Sequence, residues 1–150
     1  MTATIYVDAD ACPVKEEIVR VAKRHDLAVV FVANSGMRPS RDPMVRQVVV
    51  GGSFDAADDW IVEHAGSGDI AVTGDIPLAA RLVAKSVQVI GPSGRPFTPD
   101  SIGMAAATRN LNQELREAGV ISGYNRPYSA RDRSAFLAAL EIACRRAGKA

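Results

Sequence analysis

At 150 residues the chain is long enough to bury a sizeable core in one domain, and 47% apolar with 23% charged residues is an ordinary globular balance. No apolar run reaches the length of a membrane span and no export signal opens the chain. Two cysteines, Cys12 and Cys144, are too few for a secreted disulfide scaffold, so a reducing cytoplasm is expected. The net charge of +1 conceals an asymmetry: residues 1–80 carry 12 acidic against 7 basic side chains, and residues 81–150 carry 5 against 11. Such a division suits a protein that holds a cation beside a polyanion, or reflects charges scattered over solvated faces.

The hydrophobic period then switches repeatedly along the chain. "TIYVD" (4–8) reads as a short strand. "PVKEEIVRVAKRH" (13–25) places Val14, Ile18, Val21 and Ala22 on one helical face, with Pro13 in the first turn and basic residues in the last. "LAVVFVA" (27–33) is a continuous apolar run, suited to a strand buried on both faces. "NSGMRPSRDP" (34–43) is a loop and "VRQVVV" (45–50) a further strand. In 51–66, Ser53 caps a predicted helix that groups Phe54, Ala57, Ile61 and Ala65. "DIAVT" (69–73) is a strand, 76–86 a helix and "VQVI" (87–90) a strand. Strands alternating with helices predict a three-layer α/β/α arrangement around a mainly parallel sheet of about five strands. Residues 91–101 form a Gly/Pro/Ser loop, 102–119 and 130–148 two C-terminal helices, the last with Phe136, Leu137, Leu140 and Cys144 inward. No linker or repeat divides the chain, so residues 1–150 are expected to form a single domain.

Ligands of parallel sheets bind beyond the carboxyl ends of the strands. Asp8 and Asp10 follow the first predicted strand, and Asp75 follows "DIAVT". Asp55, Asp58 and Asp59 share a helix face. The helix dipole accounts for Asp55, but Asp58 and Asp59 precede Trp60 and Ile61, near the buried side, where an unpaired charge is costly. Three acidic groups at one sheet edge would form a hard oxygen pocket for Mg²⁺ or Mn²⁺; capping and solvated acids are the alternative. Cys12 beside two carboxylates reads as turn packing, not as a nucleophile. His25 and His64 fall in no motif and read as surface residues of helix ends, not as metal ligands. The strand–glycine junctions at Gly51, Gly52 and Gly74 match no phosphate-binding fingerprint and read as tight turns. Lys15, Arg38 and Arg41 stand on the same carboxyl side. Arg109, Arg116, Arg126, Arg131 and Arg133, interleaved with Tyr124 and Tyr128, offer as a set the charge and rings of a single-stranded nucleic acid groove; ion pairing and capping account better for any one arginine.

The stretches "DADACPVK", "VANS", "FDAADDWI", "VTGDIPLA", "RPFTPDSI" and "RPYSARDRSAFL" together resemble the bacterial YaiI/YqxD family over nearly the whole chain. That family is related to the PIN-like superfamily, which implies a PIN-like α/β core over residues 1–90 and metal-dependent nuclease chemistry. Residues 91–150 correspond to a family-specific loop and helices. On the superfamily's pattern Asp8 and Asp75 map well, Asp58 or Asp59 fills the middle place, and Asp10 is particular to the family.

The reading that follows is phosphodiester hydrolysis, on RNA in preference to DNA. Asp8, Asp59 and Asp75 would be catalytic, and with Asp10 and Asp58 would hold Mg²⁺ or Mn²⁺. Lys15, Asn34, Arg38, Arg41 and Arg109 would guide the strand. Two alternatives remain. One is a haloacid-dehalogenase-like phosphatase with Asp8 as nucleophile and Asp10 as acid/base, against which no motif lysine precedes "VTGD". The other is a non-catalytic RNA-binding or interaction module.

Overall fold

A computed structural model of the chain describes residues 3–34, 36, 41–51, 55–103 and 127–147. Strand β1 (Thr4–Asp8) leads through a 3-10 turn (Ala9–Ala11) into helix α1 (Lys15–Arg24). β2 (Ala28–Ala33) and β3 (Val45–Val49) follow, then α2 (Ala56–His64), β4 (Ile70–Val72), α3 (Ile76–Ala84) and β5 (Gln88–Ile90). The order predicted from periodicity is the order found. β6 (Pro96–Phe97) was not expected: it lies in the predicted 91–101 loop and pairs antiparallel with β5, giving six strands instead of five. The final helix, α4, runs Ala130–Arg146. A helical turn occupies residues 99–103; the rest of the helix predicted at 102–119 lies outside the described residues, as do Ser53 and Phe54.

The sheet order is β3-β2-β1-β4-β5-β6, parallel except for β6. Side chains alternate across it with period two. Ile5, Val7, Val29, Phe31, Ile70 and Val72 face α1 and α4, meeting Ile18, Val21, Phe136 and Leu140. Val30, Val32, Ala71 and Val89 face α2 and α3, meeting Ala57, Ile61, Leu78 and Leu82. The result is the expected three-layer α/β/α stack. Burying a side chain such as Phe136, fully enclosed, is worth about 3–5 kcal/mol against alanine.

α1 begins later than the sequence suggests. Pro13 disfavours helical backbone at the residue before it, and Cys12 is extended at φ −96°, ψ 116°. Cys12, Pro13 and the N-cap Val14 therefore separate the 3-10 turn from the helix. α4 opens on a capping box: Ser129 Oγ accepts the Asp132 N–H at 3.2 Å, and Asp132 Oδ2 accepts the Ser129 N–H at 3.0 Å. His25, at the end of α1, meets Glu141 of α4, which also pairs with Arg24 and Arg145, each at 3.5 Å.

At the amino ends of the strands one carboxylate does the joining. Asp69 Oδ1 accepts the Thr4 N–H and Oδ2 the Gly66 N–H, both at 3.0 Å. Asp69→Ala leaves two partly buried donors without that acceptor and is expected to cost about 1–3 kcal/mol. Urea unfolding checks this as a lowered midpoint with an unchanged slope.

Candidate active site

β1 lies between β2 and β4, and the connections leaving it and β4 run to opposite faces of the sheet. α1, following β1, covers one face; α3, following β4, covers the other. Such a switch point opens a crevice at the carboxyl ends of the two strands. Here it is a cavity of ≈ 310 Å³ lined by Asp8, Cys12, Val72, Thr73, Gly74, Asp75 and Pro92. A larger cavity of ≈ 700 Å³ between α3, β5, β6 and α4 is mainly apolar, with Arg146 the one charged residue in its lining. It contains no carboxylate, so the smaller cavity is where chemistry has the groups it needs.

Thr73 organises that crevice. Its hydroxyl, on a residue only 2% exposed, donates to Asp8 Oδ2 at 3.0 Å and accepts the Asp75 N–H at 3.0 Å. Asp75 in turn is the N-cap of α3, its Oδ1 accepting the Leu78 N–H at 2.9 Å. A buried threonine thus fixes a carboxylate from the first strand relative to one that caps a helix 67 residues later in the chain. Sequence reasoning passed over Thr73; the signal available was a hydroxyl closing the otherwise apolar strand "DIAVT".

The electrostatics couple a third acid to the two in the cavity. Burial raises the Asp8 carboxyl above its ordinary value; the Thr73 hydrogen bond opposes this, and the charges of Asp10 and Asp75 reinforce it. Asp58 is pushed up to about 6, first by burial, then by the charges of Asp75, Asp8 and Asp55, with Arg81 acting the other way. Asp58 therefore shares its field with the cavity carboxylates. Asp59, the neighbouring candidate, is half exposed and paired with Arg81 Nη1 at 3.0 Å. Of the two acids that could occupy the middle position, Asp58 feels the charges of Asp75 and Asp8 from outside the cavity lining, while Asp59 is paired with an arginine on α3.

The remaining candidates are spread more widely. Asp10 is exposed, and its Oδ2 accepts the Asn34 N–H at 3.0 Å, tying the 3-10 turn to the end of β2. Lys15 is exposed at the start of α1. Arg41, expected on the same carboxyl side, is exposed at the opposite edge, because the loop after β2 has already crossed to the start of β3, where neighbouring Asp42 pairs with Lys23 in the last turn of α1. Arg38 and Arg109, with Arg116, Arg126 and Tyr124, lie outside the described residues. Burial pushes the Cys12 thiol up, which keeps it neutral beside the acids and agrees with a packing role. His64 stacks on Trp60 with ring centroids 3.7 Å apart, and its Nδ1 lies 2.8 Å from the Trp60 carbonyl oxygen.

Pro92 contributes to the cavity's lining, and its loop is held in place by α4 and the segment before it. Tyr128 Oη donates to the Pro92 carbonyl at 2.7 Å, and Gly94 lies directly against the α4 backbone at Ala135 and Phe136.

Among the described residues, no three His, Cys, Asp or Glu side chains are grouped closely enough to hold one ion together. Magnesium, however, keeps several waters and needs only one or two protein carboxylates. Asp8 and Asp75, hard oxygen donors lining one cavity, meet that requirement.

The raised Asp58 carboxyl has a consequence for stability. A group whose folded pKa is raised adds stability that is full below pH 3.8, its unfolded value, and is lost as pH rises through about 6. Asp58→Asn is therefore expected to melt higher than the natural protein at pH 8 without metal, with the difference closing by pH 4. Thermal melts across that range check it.

Among the described residues no helix is long and apolar enough to cross a membrane. The family described as "Uncharacterized BCR, YaiI/YqxD family" matches residues 6–146. A UPF0178 protein of Agrobacterium fabrum is 62% identical over 145 residues, covering 97% of this chain and 95% of its own. One from Rhizobium meliloti is 62% identical over 142 residues, covering 95% and 97%, and one from Parvibaculum lavamentivorans 60% over 137, covering 91% and 90%. No solved structure matches the chain. With a family match running from the first strand to the last helix, and relatives aligned over nearly their full lengths, the chain belongs to the YaiI/YqxD family.

Proposed function

We propose that the protein is a divalent-metal-dependent phosphodiesterase acting on nucleic acid, with RNA its preferred substrate. The observation that carries this reading is the meeting of Asp8 and Asp75, from two different strand ends, in one cavity at the sheet's switch point. Both would hold Mg²⁺ or Mn²⁺, with the charge of Asp58 acting on the pair from outside the cavity lining. Such an ion supplies Lewis-acid stabilisation of charge on the phosphate and lowers the pKa of bound water. The chain's own residues do the rest. Thr73 fixes the orientation of Asp8 and, through the Asp75 N–H, the start of α3. The exposed side chain of Lys15, at the start of α1, supplies positive charge on the carboxyl side of the sheet, where the strand's phosphates would approach. In the overall reaction water adds to phosphorus and one P–O ester bond breaks, leaving a phosphomonoester and a free hydroxyl. The free thiols of Cys12 and Cys144 fit a reducing, cytoplasmic setting.

Incubating end-labelled single-stranded RNA with Mg²⁺, with Mn²⁺ and with chelator tests the proposal. Cleavage dependent on either metal is expected; intact RNA in all three conditions overturns it.

A further inference from the structure

We infer that Tyr128 is a base-stacking platform at the mouth of the acidic cavity, and that the site takes its nucleic acid single-stranded. The inference rests on the phosphodiesterase reading of the cavity and names the form of substrate it admits.

The ring's position carries the argument. Tyr128 donates its hydroxyl to the Pro92 carbonyl at 2.7 Å, and Pro92 lines the cavity with Asp8 and Asp75. Pro92 also closes on the cavity floor, its Cδ 3.6 Å from where a side chain on Gly74 would begin. Tyr128 is therefore fixed one residue from the carboxylates. Despite that anchoring it remains 40% exposed, among the few large apolar side chains the described residues leave open. A tyrosine held by its hydroxyl while its ring meets solvent has already lost the rotamer freedom that binding would otherwise remove. Every base has a π-face, so a ring in this position accepts any sequence, but only from a strand whose bases are unpaired.

The surroundings suit the backbone of such a strand. Lys15 and Arg133 are both exposed; Lys15 acts electrostatically on Cys12, in the cavity lining, and Arg133 on Tyr128 itself. Positive charge thus acts on both the cavity lining and the ring. The acidic neighbours of Tyr128 are Asp132, drawn into the capping box with Ser129, and Glu17 on α1. Tyr6, Trp60 and His64 form the other aromatic group, but they cluster around α2 and line no cavity carboxylate.

Fluorescence anisotropy in chelator, where nothing is cleaved, tests the inference. The probes are end-labelled RNA and DNA strands of about ten nucleotides, the same strands as duplexes, and strands carrying abasic residues. The natural protein is expected to bind the single strands more tightly than the duplex or abasic forms; a preference for RNA or for DNA supports the inference either way and fixes the sugar. Tyr128→Ala is expected to weaken single-strand binding by about 5- to 150-fold, the worth of one stacked base. Tyr128→Phe keeps the ring and loses only the Pro92 hydrogen bond, so it should retain binding. Equal binding of abasic and normal strands by the natural protein overturns the inference without recourse to any variant. So does undiminished binding by Tyr128→Ala, or a loss in Tyr128→Phe as large as in Tyr128→Ala, which would make the residue a prop for Pro92. Ring-dependent binding with no cleavage in Mg²⁺ or Mn²⁺ would instead overturn the phosphodiesterase reading and leave the stacking intact.

Discussion

Gly94→Ala is expected to lower stability by about 2–5 kcal/mol, combining overpacking with a left-handed backbone that alanine adopts at a cost. Gly94 has φ +90°, and a Cβ there would sit 2.5 Å from the Ala135 carbonyl carbon, 2.6 Å from its oxygen and 2.8 Å from the Phe136 nitrogen. These are backbone atoms of α4 and cannot rotate aside. The loop must lift away from the helix instead, and it is braced internally: the Gly94 N–H donates to the Gly91 carbonyl at 2.9 Å, and the Gly91 N–H to the Arg95 carbonyl at 2.8 Å. Lifting it would carry Pro92 out of the cavity wall and away from Tyr128. At about 2–4 °C per kcal/mol for a chain of this size, the melting temperature should fall by about 4–20 °C. Gly66→Ala is the comparison, since nothing lies within 4 Å of a Cβ there; it should stay within about 0.5 kcal/mol of the natural protein.

Asp8→Asn and Asp75→Asn should each reduce metal-dependent cleavage at least about a hundredfold, the scale set by losing one group that stabilises transition-state charge. Both changes remove charge while keeping local structure. Asparagine at 8 retains an oxygen for the Thr73 hydroxyl, and asparagine caps helices as well as aspartate, so α3 keeps its start. Neither variant should unfold; Asp8→Asn should melt no lower than the natural protein without metal, because burial and neighbouring charge already disfavour its ionised form. Mn²⁺ should raise the melting temperature of the natural protein and do so less in either variant, since an ion that binds only the folded state stabilises it. Asp58→Asn should cost more activity than Asp59→Asn, given that Asp59 faces Arg81. Unchanged cleavage in both Asp8→Asn and Asp75→Asn would overturn the site.

Much of this was legible in the residues because the signals are local. Continuous apolar runs such as "AVVFVA" and helical spacing such as Ile18, Val21 and Ala22 are properties of a few adjacent positions. Strand-end aspartates were visible for the same reason. β6 escaped because a two-residue strand containing proline has no period to read, and its pairing with Val89 and Ile90 is a tertiary fact. The choice between Asp58 and Asp59 needed the direction of α2 relative to Arg81, which adjacency in sequence leaves open. The Thr73 link joins residues 65 positions apart and depends on β1 and β4 being neighbours, an order no local pattern encodes.

β6 also bears on how copies of the chain meet. An open sheet edge is a template for another chain's strand, and natural proteins blunt it with short strands and proline. At one edge the sheet finishes on β6, two residues long, where Pro96 has no N–H to offer an incoming strand. Among the described residues the opposite edge is β3, five residues long, with Arg46 and Val49 exposed. Strand addition is therefore hindered at β6, and a charge introduced at Val49 would guard the β3 edge, which carries no proline.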